Sequence, residues 1–225
     1  MINLPRISAL LICSSLLSCG SEDGAKRIVL GTGNEVYAPN ELQYSLPFVV
    51  QVTRDGELPA AGATVKITIK PLRYFKGGYL AVDTDADGTD DAWSLSYSAS
   101  CVAEDVNNNG VRDPGEDING NVRLDPTYPG TVGAHLSLTP TVTPGTGTIV
   151  TDDSGFGYFV VTYPKSESMW TNIQLTATAQ VTGTEENEII SFTLPVAIDD
   201  LAYPVSPPGG GTSRYGTSAI CTDDL

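Results

Sequence analysis

Between Ala63 and Lys70 the chain reads ATVKITIK, so that Val65, Ile67 and Ile69 alternate without a break with Thr64, Lys66, Thr68 and Lys70. Successive strand side chains point to opposite faces, so this period of two buries one face and leaves the other in water. A segment of this kind needs antiparallel neighbours and a second layer to cover its apolar side. The same signal returns in Leu46–Thr53, Ala134–Leu138 (with Leu136 and Leu138 inward), Phe156–Tyr163, Ile173–Val181 and Ile190–Leu194. Pro47 fits the first of these only at an edge or a bulge, because it has no N–H to give. Arg54-Asp55-Gly56, Pro59–Gly62 and Asp152–Gly155 have the composition of turns. No segment has a helical period. Short strands with turn punctuation and no helices between them predict an all-β protein, an antiparallel β-sandwich.

Among the strands lies Glu104 to Pro126, EDVNNNGVRDPGEDINGNVRLDP. Counted from Asp105, oxygen-bearing side chains fall at positions 1, 3, 5, 9 and 12: Asp105, Asn107, Asn109, Asp113 and Glu116. Gly110 is at position 6, and Val111 at position 7 offers its carbonyl. This is the ligand order of an EF-hand-type calcium loop, in which glycine permits the sharp turn and glutamate closes the shell with two oxygens. The alternative is a solvated loop of Asx turns. A second loop starts at once with Asp117, Asn119, Asn121 and Asp125, and with Arg123 at the carbonyl position. It has Val122 at position 6 and Tyr128 at position 12, so by itself it would bind weakly, or it shares ligands with the first. Asp83, Asp85, Asp87, Thr89 and Asp91, with Gly88 at position 6 and Ser94 at position 12, resemble the DxDxDG calcium repeats of thrombospondin type 3 modules. A plain acidic hairpin tip between the strands Gly78–Val82 and Ala92–Tyr97 is the other reading. No helical heptad flanks 105–126 and Pro114 sits at position 10, which describes a static staple and not a sensor that opens on calcium.

The stretches FVVQVTRDGELPAAGATVKITI, TIVTDDSGFGYFVVTYP and IQLTATAQVTGTEENEIISFTLP follow a strand, a D-G turn, P-x-x-G, an alternating strand, T-x-D-x-x-G and a T-A strand in that order. Over about residues 44–70 and 147–196 the chain thereby resembles the bacterial Ig-like group 1 domains of invasins and intimins. The combination around KGGY and C-x-x-E-D-x-N-x-N-G is also similar to Ig-like lipoproteins of Gram-negative bacteria. The resemblance implies an Ig-like sandwich on a cell surface. It departs from that family in the long segment between Pro71 and Pro144, which holds the candidate calcium loops.

Residues 1–18 carry a basic start and an apolar run from Ile7 to Leu17 that is too short for a permanent membrane span, which describes an export signal. Leu16-Leu17-Ser18-Cys19 resembles a lipobox, so Cys19 is the expected lipidation site; ordinary cleavage that leaves a free thiol is the alternative. Gly20 after the cysteine suggests an outer-membrane lipoprotein, periplasmic or on the cell surface, held to the membrane by its acyl chains. Residues 19–42 are expected to form a flexible tether, 43–199 the sandwich with an insertion over 71–144, and 200–225 a Pro/Gly-rich tail along the surface. In an oxidising compartment the two cysteines left over, Cys101 and Cys221, are expected to pair.

Removing the signal takes away Arg6 and leaves a formal charge of 11 − 27 = −16. That balance speaks against nucleic acid, which needs a basic footprint. With one histidine, His135, which the alternation puts on the polar face of a strand, and no spare cysteine, a His-rich zinc centre is out of reach. No G-x-S-x-G, P-loop or dinucleotide fingerprint occurs. The acids are better used as calcium ligands than as a glycosidase pair. The expected function is therefore non-catalytic: a calcium-binding surface module with a structural, adhesion or assembly role. A calcium-dependent module that binds carbohydrate or protein near Trp93 is the alternative, and a glycan-active enzyme a more distant one.

Overall fold

The computed structural model describes residues 27–33, 35–54, 58–135, 146–179 and 185–225. The signal, Cys19, Leu136 and Leu138 lie outside them. Eleven strands form among the described residues: β1 (Arg27–Thr32), β2 (Tyr37–Asn40), β3 (Gln43–Arg54), β4 (Leu58–Pro59), β5 (Thr64–Val82), β6 (Ala92–Val102), β7 (Thr131–Ala134), β8 (Thr148–Val150), β9 (Phe156–Pro164), β10 (Thr171–Ala179) and β11 (Glu186–Thr193). They make two antiparallel sheets. One has the order β1-β3-β9-β7, with β2 and β4 also on β3; the other has the order β11-β10-β5-β6, with β8 also on β5. The all-β sandwich expected from the alternation is the fold.

The alternating residues meet between the sheets. Phe48, Val50 and Val52 on β3 and Phe159, Val161 and Tyr163 on β9 face Val65 and Ile67 on β5 and Ile173, Leu175 and Ala177 on β10, all buried in one cluster. Each large aliphatic or aromatic side chain so buried contributes about 1.5–3 kcal/mol. Gly157 is required here. A Cβ on it would lie 2.7 Å from Ile149 Cγ2 and 3.1 Å from Val50 Cγ1. Pro47 sits between neighbours and not on a free edge. It lies opposite Val160, in the two-residue gap of β3, Leu46–Pro47, between the pairing of β1, which begins at Phe48, and that of β2, which ends at Ser45.

Three boundaries differ from the sequence expectation. The tether does not extend to Leu42: Arg27–Thr32 is a strand paired along β3, with Ile28 buried against the core. Its apolar alternation is too brief to separate from a polar linker. The insertion does not begin at Pro71 either. β5 runs straight through it for nineteen residues, because a bulge near Pro71 absorbs the missing N–H: Ile173 stands opposite Pro71 and Asn172 opposite Arg73. The sheet then continues as the expected hairpin with β6, Gly78 opposite Ser96 and Val82 opposite Ala92. Among the described residues from Pro71 to Ala134, 83–91 and 103–130 leave the sheets as loops. Finally, the tail is not a surface run. Along the side of β5 that β10 covers as far as Tyr74, the tail takes over: Gly77 N–H donates to Gly216 O and Tyr79 N–H to Gly211 O. On its other side Gly77, with φ +146°, sits at a shift in the β5–β6 register, where a Cβ would lie 2.1 Å from Ser96 O.

The tail closes a second core of Tyr74, Tyr79, Cys101, Trp170 and Tyr215, with Trp93, Leu95 and Cys221 packed against it. The Cys101–Cys221 disulfide expected from the sequence is formed within it. Another clamp joins the segment after β11 to the first sheet. Asp200 accepts from Lys165 Nζ (2.6 Å) and from the Tyr44 hydroxyl. These bonds, Lys165 first, hold the Asp200 carboxyl below the usual carboxylate range. A depressed folded-state value adds stability that is complete above the unfolded value, near about pH 4, and lost as pH falls through the folded one. Thermal melting between pH 6 and pH 2 should therefore fall less steeply for Asp200→Asn than for the wild type; equal slopes would remove this clamp from the acid response.

Candidate metal-binding loops

The three acidic loops adopt one backbone. In each, the residues at positions 4 and 6 have positive φ: Ala86 (62°) and Gly88 (92°), Asn108 (58°) and Gly110 (72°), Gly120 (74°) and Val122 (69°). In each, the first aspartate accepts from the N–H at position 6: Gly88 to Asp83 at 2.7 Å, Gly110 to Asp105 at 2.8 Å, Val122 to Asp117 at 3.0 Å. The side chain at position 5 takes the N–H at position 7: Thr89 to Asp87, Val111 to Asn109, Arg123 to Asn121. Short Asp and Asn side chains that bond backbone two to five residues on supply the turn chemistry. Glycine accounts for three of the six positive φ values, with Ala86, Asn108 and Val122 making up the rest. Val122 holds its angle although a β-branched residue strongly resists it.

In the first loop Asp113 Oδ2 gathers Asn107 Nδ2 (2.7 Å) and Asn109 Nδ2 (3.0 Å), and Glu116 folds back to take Val106 N–H (3.1 Å) and Asp113 N–H (2.9 Å). Asp113 thus ties positions 3 and 5 to position 9, and Glu116 at position 12 returns to the backbone of positions 2 and 9. The second loop repeats this, Asp125 Oδ2 taking Asn119 Nδ2 (3.0 Å) and Asn121 Nδ2 (2.6 Å). Its position 12, Tyr128, turns away and lies under the Arg214 guanidinium. Glu104 takes the closing role instead. It is fully buried and accepts from Ile118 N–H and Asn119 N–H at 3.1 Å and from Asp125 N–H at 3.0 Å. Ile118 and Asp125 are positions 2 and 9, the same two that Glu116 holds in the first loop. Burial lifts the Glu104 carboxyl above its usual range, against the pull of those three donors.

Sequence reasoning missed Glu104 because it precedes the loop it closes. The signal was present: a step of twelve residues carries Glu104 onto Glu116, Asp105 onto Asp117, Asn107 onto Asn119, Asn109 onto Asn121, Asp113 onto Asp125 and Pro114 onto Pro126. The tandem is one ring of two loops, each shut by the glutamate that precedes or ends the other.

Which oxygens remain free bears on a cation. Asp117 Oδ1 is buried with no hydrogen-bond partner, while its Oδ2 accepts from Arg112 (2.8 Å) and Val122 N–H. An orphaned carboxylate oxygen in a ring of Asp and Asn oxygens suits a hard divalent ion. In the hairpin loop, ligand oxygens of Asp83, Asp85 and Asp91 lie within 4.8 Å of one another. Asp91 there also takes Thr84 N–H (3.2 Å) and Thr84 Oγ1 (2.7 Å), so position 9 holds the position-2 N–H that a glutamate holds in the other loops. Hydrogen bonds from Ala86, Asp87 and Gly88, that of Gly88 foremost, keep the Asp83 carboxyl below its usual range.

The loops are wired to the second core. Tyr74, whose hydroxyl burial pushes up to about 12, meets Asn119 and packs its ring at a tilt against Tyr215, centroids 4.8 Å apart. The aromatic residues near the hairpin are occupied in packing: Trp93 donates to Val205 O (2.6 Å) and meets Tyr203 edge-on, and Tyr97 donates to Met169 O (2.9 Å). His135 follows β7 and is half-buried. No known family model matches the chain, and no curated protein is similar enough to count as a relative.

Proposed function

We propose that this chain is a non-catalytic, calcium-stapled β-sandwich, exported and lipidated at Cys19 as an outer-membrane lipoprotein, with a structural, adhesion or assembly role. The observation that carries the reading is the ring of Glu104, Asp105–Glu116 and Asp117–Asp125, in which hydrogen bonds tie positions 3, 5 and 9 of each loop together and both closing glutamates are buried. Calcium bound there would neutralise the carboxylates and bridge them; the chain's own residues supply the turn geometry and the link to the second core. The export and lipidation part is supported by the apolar run and by Ser18-Cys19. An invasin- or intimin-like Ig ancestry agrees with the order of the motifs. Trp93 and Tyr97 are committed to packing, so no observation favours a ligand site built on them.

The test is calcium titration of the mature protein by calorimetry, with melting in calcium, in magnesium and in chelator. An ion present at one hundred times its Kd adds about 2.7 kcal/mol, which is roughly 5–10 °C for a domain of this size. Glu116→Ala should remove the first tandem ion and Glu104→Gln the second, each lowering the stoichiometry by one. Absence of uptake at millimolar calcium would end the proposal. If Glu104→Gln left the stoichiometry unchanged, the ring would not close as described.

A further inference from the structure

The outer face of the β11-β10-β5 sheet is chemically unlike the rest of the molecule. The chain carries 27 acids against 12 bases, yet the charged side chains on this face are all cations. Val65 and Ile67 point inward on β5, so Lys66 and Lys70 point out. The bulge keeps Arg73 in phase with them, because Arg73 stands opposite the outward Asn172 while Pro71 stands opposite the buried Ile173. The neighbouring outward positions on β10 are Asn172, Gln174, Thr176 and Thr178, and those facing them on β11 are equally uncharged. Lys76, Arg112, Lys165 and Arg214 are each tied to a carboxylate elsewhere. By contrast, Lys66 and Arg73 meet a carbonyl, Thr146 O, and a hydroxyl, Ser100 Oγ. Among the described residues none of the three face cations has an ion-pair partner.

Such segregation makes a local field opposite in sign to that of the whole protein. At roughly 3.3 Å per residue, Lys66 to Arg73 spans about 20 Å along the strand. The hydroxyls and amides between the cations can donate to and accept from sugar hydroxyls. No aromatic ring occupies these positions, so a nucleobase has nothing to stack on. Ile189 is the exposed aliphatic side chain at the middle of the β11 side, too little to enter a bilayer. We propose that this face binds an anionic polysaccharide, a sugar chain bearing carboxylate or sulfate groups, laid along β5. The site goes beyond the calcium reading and does not depend on it.

A sulfated dextran oligosaccharide and its unsulfated counterpart, titrated by calorimetry at low and at physiological ionic strength, test the idea. The sulfated chain binds, more weakly as salt rises, and the unsulfated one does not. Lys70→Glu weakens binding about tenfold or more, as like charge placed in a contact does. Arg27→Glu, the same change of net charge on the other sheet, leaves it within twofold. Lys66→Ser with Arg73→Ser gives a second reading should Lys70→Glu lower the melting temperature. The proposal is overturned by no binding at low salt, by equal loss in Arg27→Glu and Lys70→Glu, or by polyglutamate or single-stranded DNA binding as tightly as the sulfated sugar.

Discussion

Replacing Cys101 and Cys221 together by serine is expected to lower stability by about 4–5 kcal/mol, the chain-entropy value for a closed loop on the order of a hundred residues. The bond joins positions 120 residues apart. Its loss releases the unfolded chain far more than it disturbs the folded one. For a domain of this length that is a fall in melting temperature of roughly 10–20 °C. The loss should be uneven. Tail amides such as Ser213 and Gly216, which bond β5 and each other, should exchange hydrogen faster, because the tail itself gives only Leu201, Tyr215 and Cys221 to the second core. Amides of β3 and β9 should keep their protection relative to global unfolding. A double serine variant within about 1 kcal/mol of the wild type in denaturant titration would mean that the tail's hydrogen bonds suffice without the link.

The second large effect belongs to Glu167. It is fully buried and accepts from Arg214 Nη1 (2.6 Å), Thr171 Oγ1 (2.6 Å) and the Tyr215 hydroxyl. Burial, reinforced by the neighbouring carboxylate, holds the Tyr215 phenol well above its ordinary range, so it stays a donor at any physiological pH. Removing one partner of a buried ion pair costs about 3–5 kcal/mol, since the other is left uncompensated. Arg214→Met, which leaves the fully buried Glu167 uncompensated, should therefore destabilise by about that much, and Glu167→Met by less, because water reaches the partly exposed Arg214. The double variant should recover a good part of the loss, because apolar groups of similar size replace both charges. Additive losses in that cycle would show that the two residues act independently of each other.

Strand positions were legible in this chain where an apolar period of two was sustained, whereas the expected Ala134–Leu138 strand meets β7 (Thr131–Ala134) only at Ala134 and β11 begins four residues before Ile190. β9 and β10 begin within two residues of where the alternation places them, and β3 three residues earlier. The misplaced boundaries have local causes. Pro71 reads as a stop, and only the pairing of Asn172 and Ile173 across it reveals a bulge that lets β5 continue. The tail reads as a linker, because Pro207, Pro208 and Gly209–Gly211 hide the three residues that matter, Ser213, Arg214 and Tyr215. Their partners in the sheets and turns lie 44 or more positions away, beyond the reach of any window. The ligand ladders of the three loops were legible because each is encoded within twelve residues. Glu104 escaped because it acts across the loop junction.

One long strand, β5, belongs to both cores: its first half lines the space between the sheets and its second half carries β6, the tail and, through Tyr74, the acidic ring. A continuous β-ladder leaves no hinge between these regions. A paramagnetic lanthanide seated in the ring should thus orient the entire domain in a magnetic field as one rigid object. Residual dipolar couplings from amides of β3 and of β6 would fit a common alignment tensor.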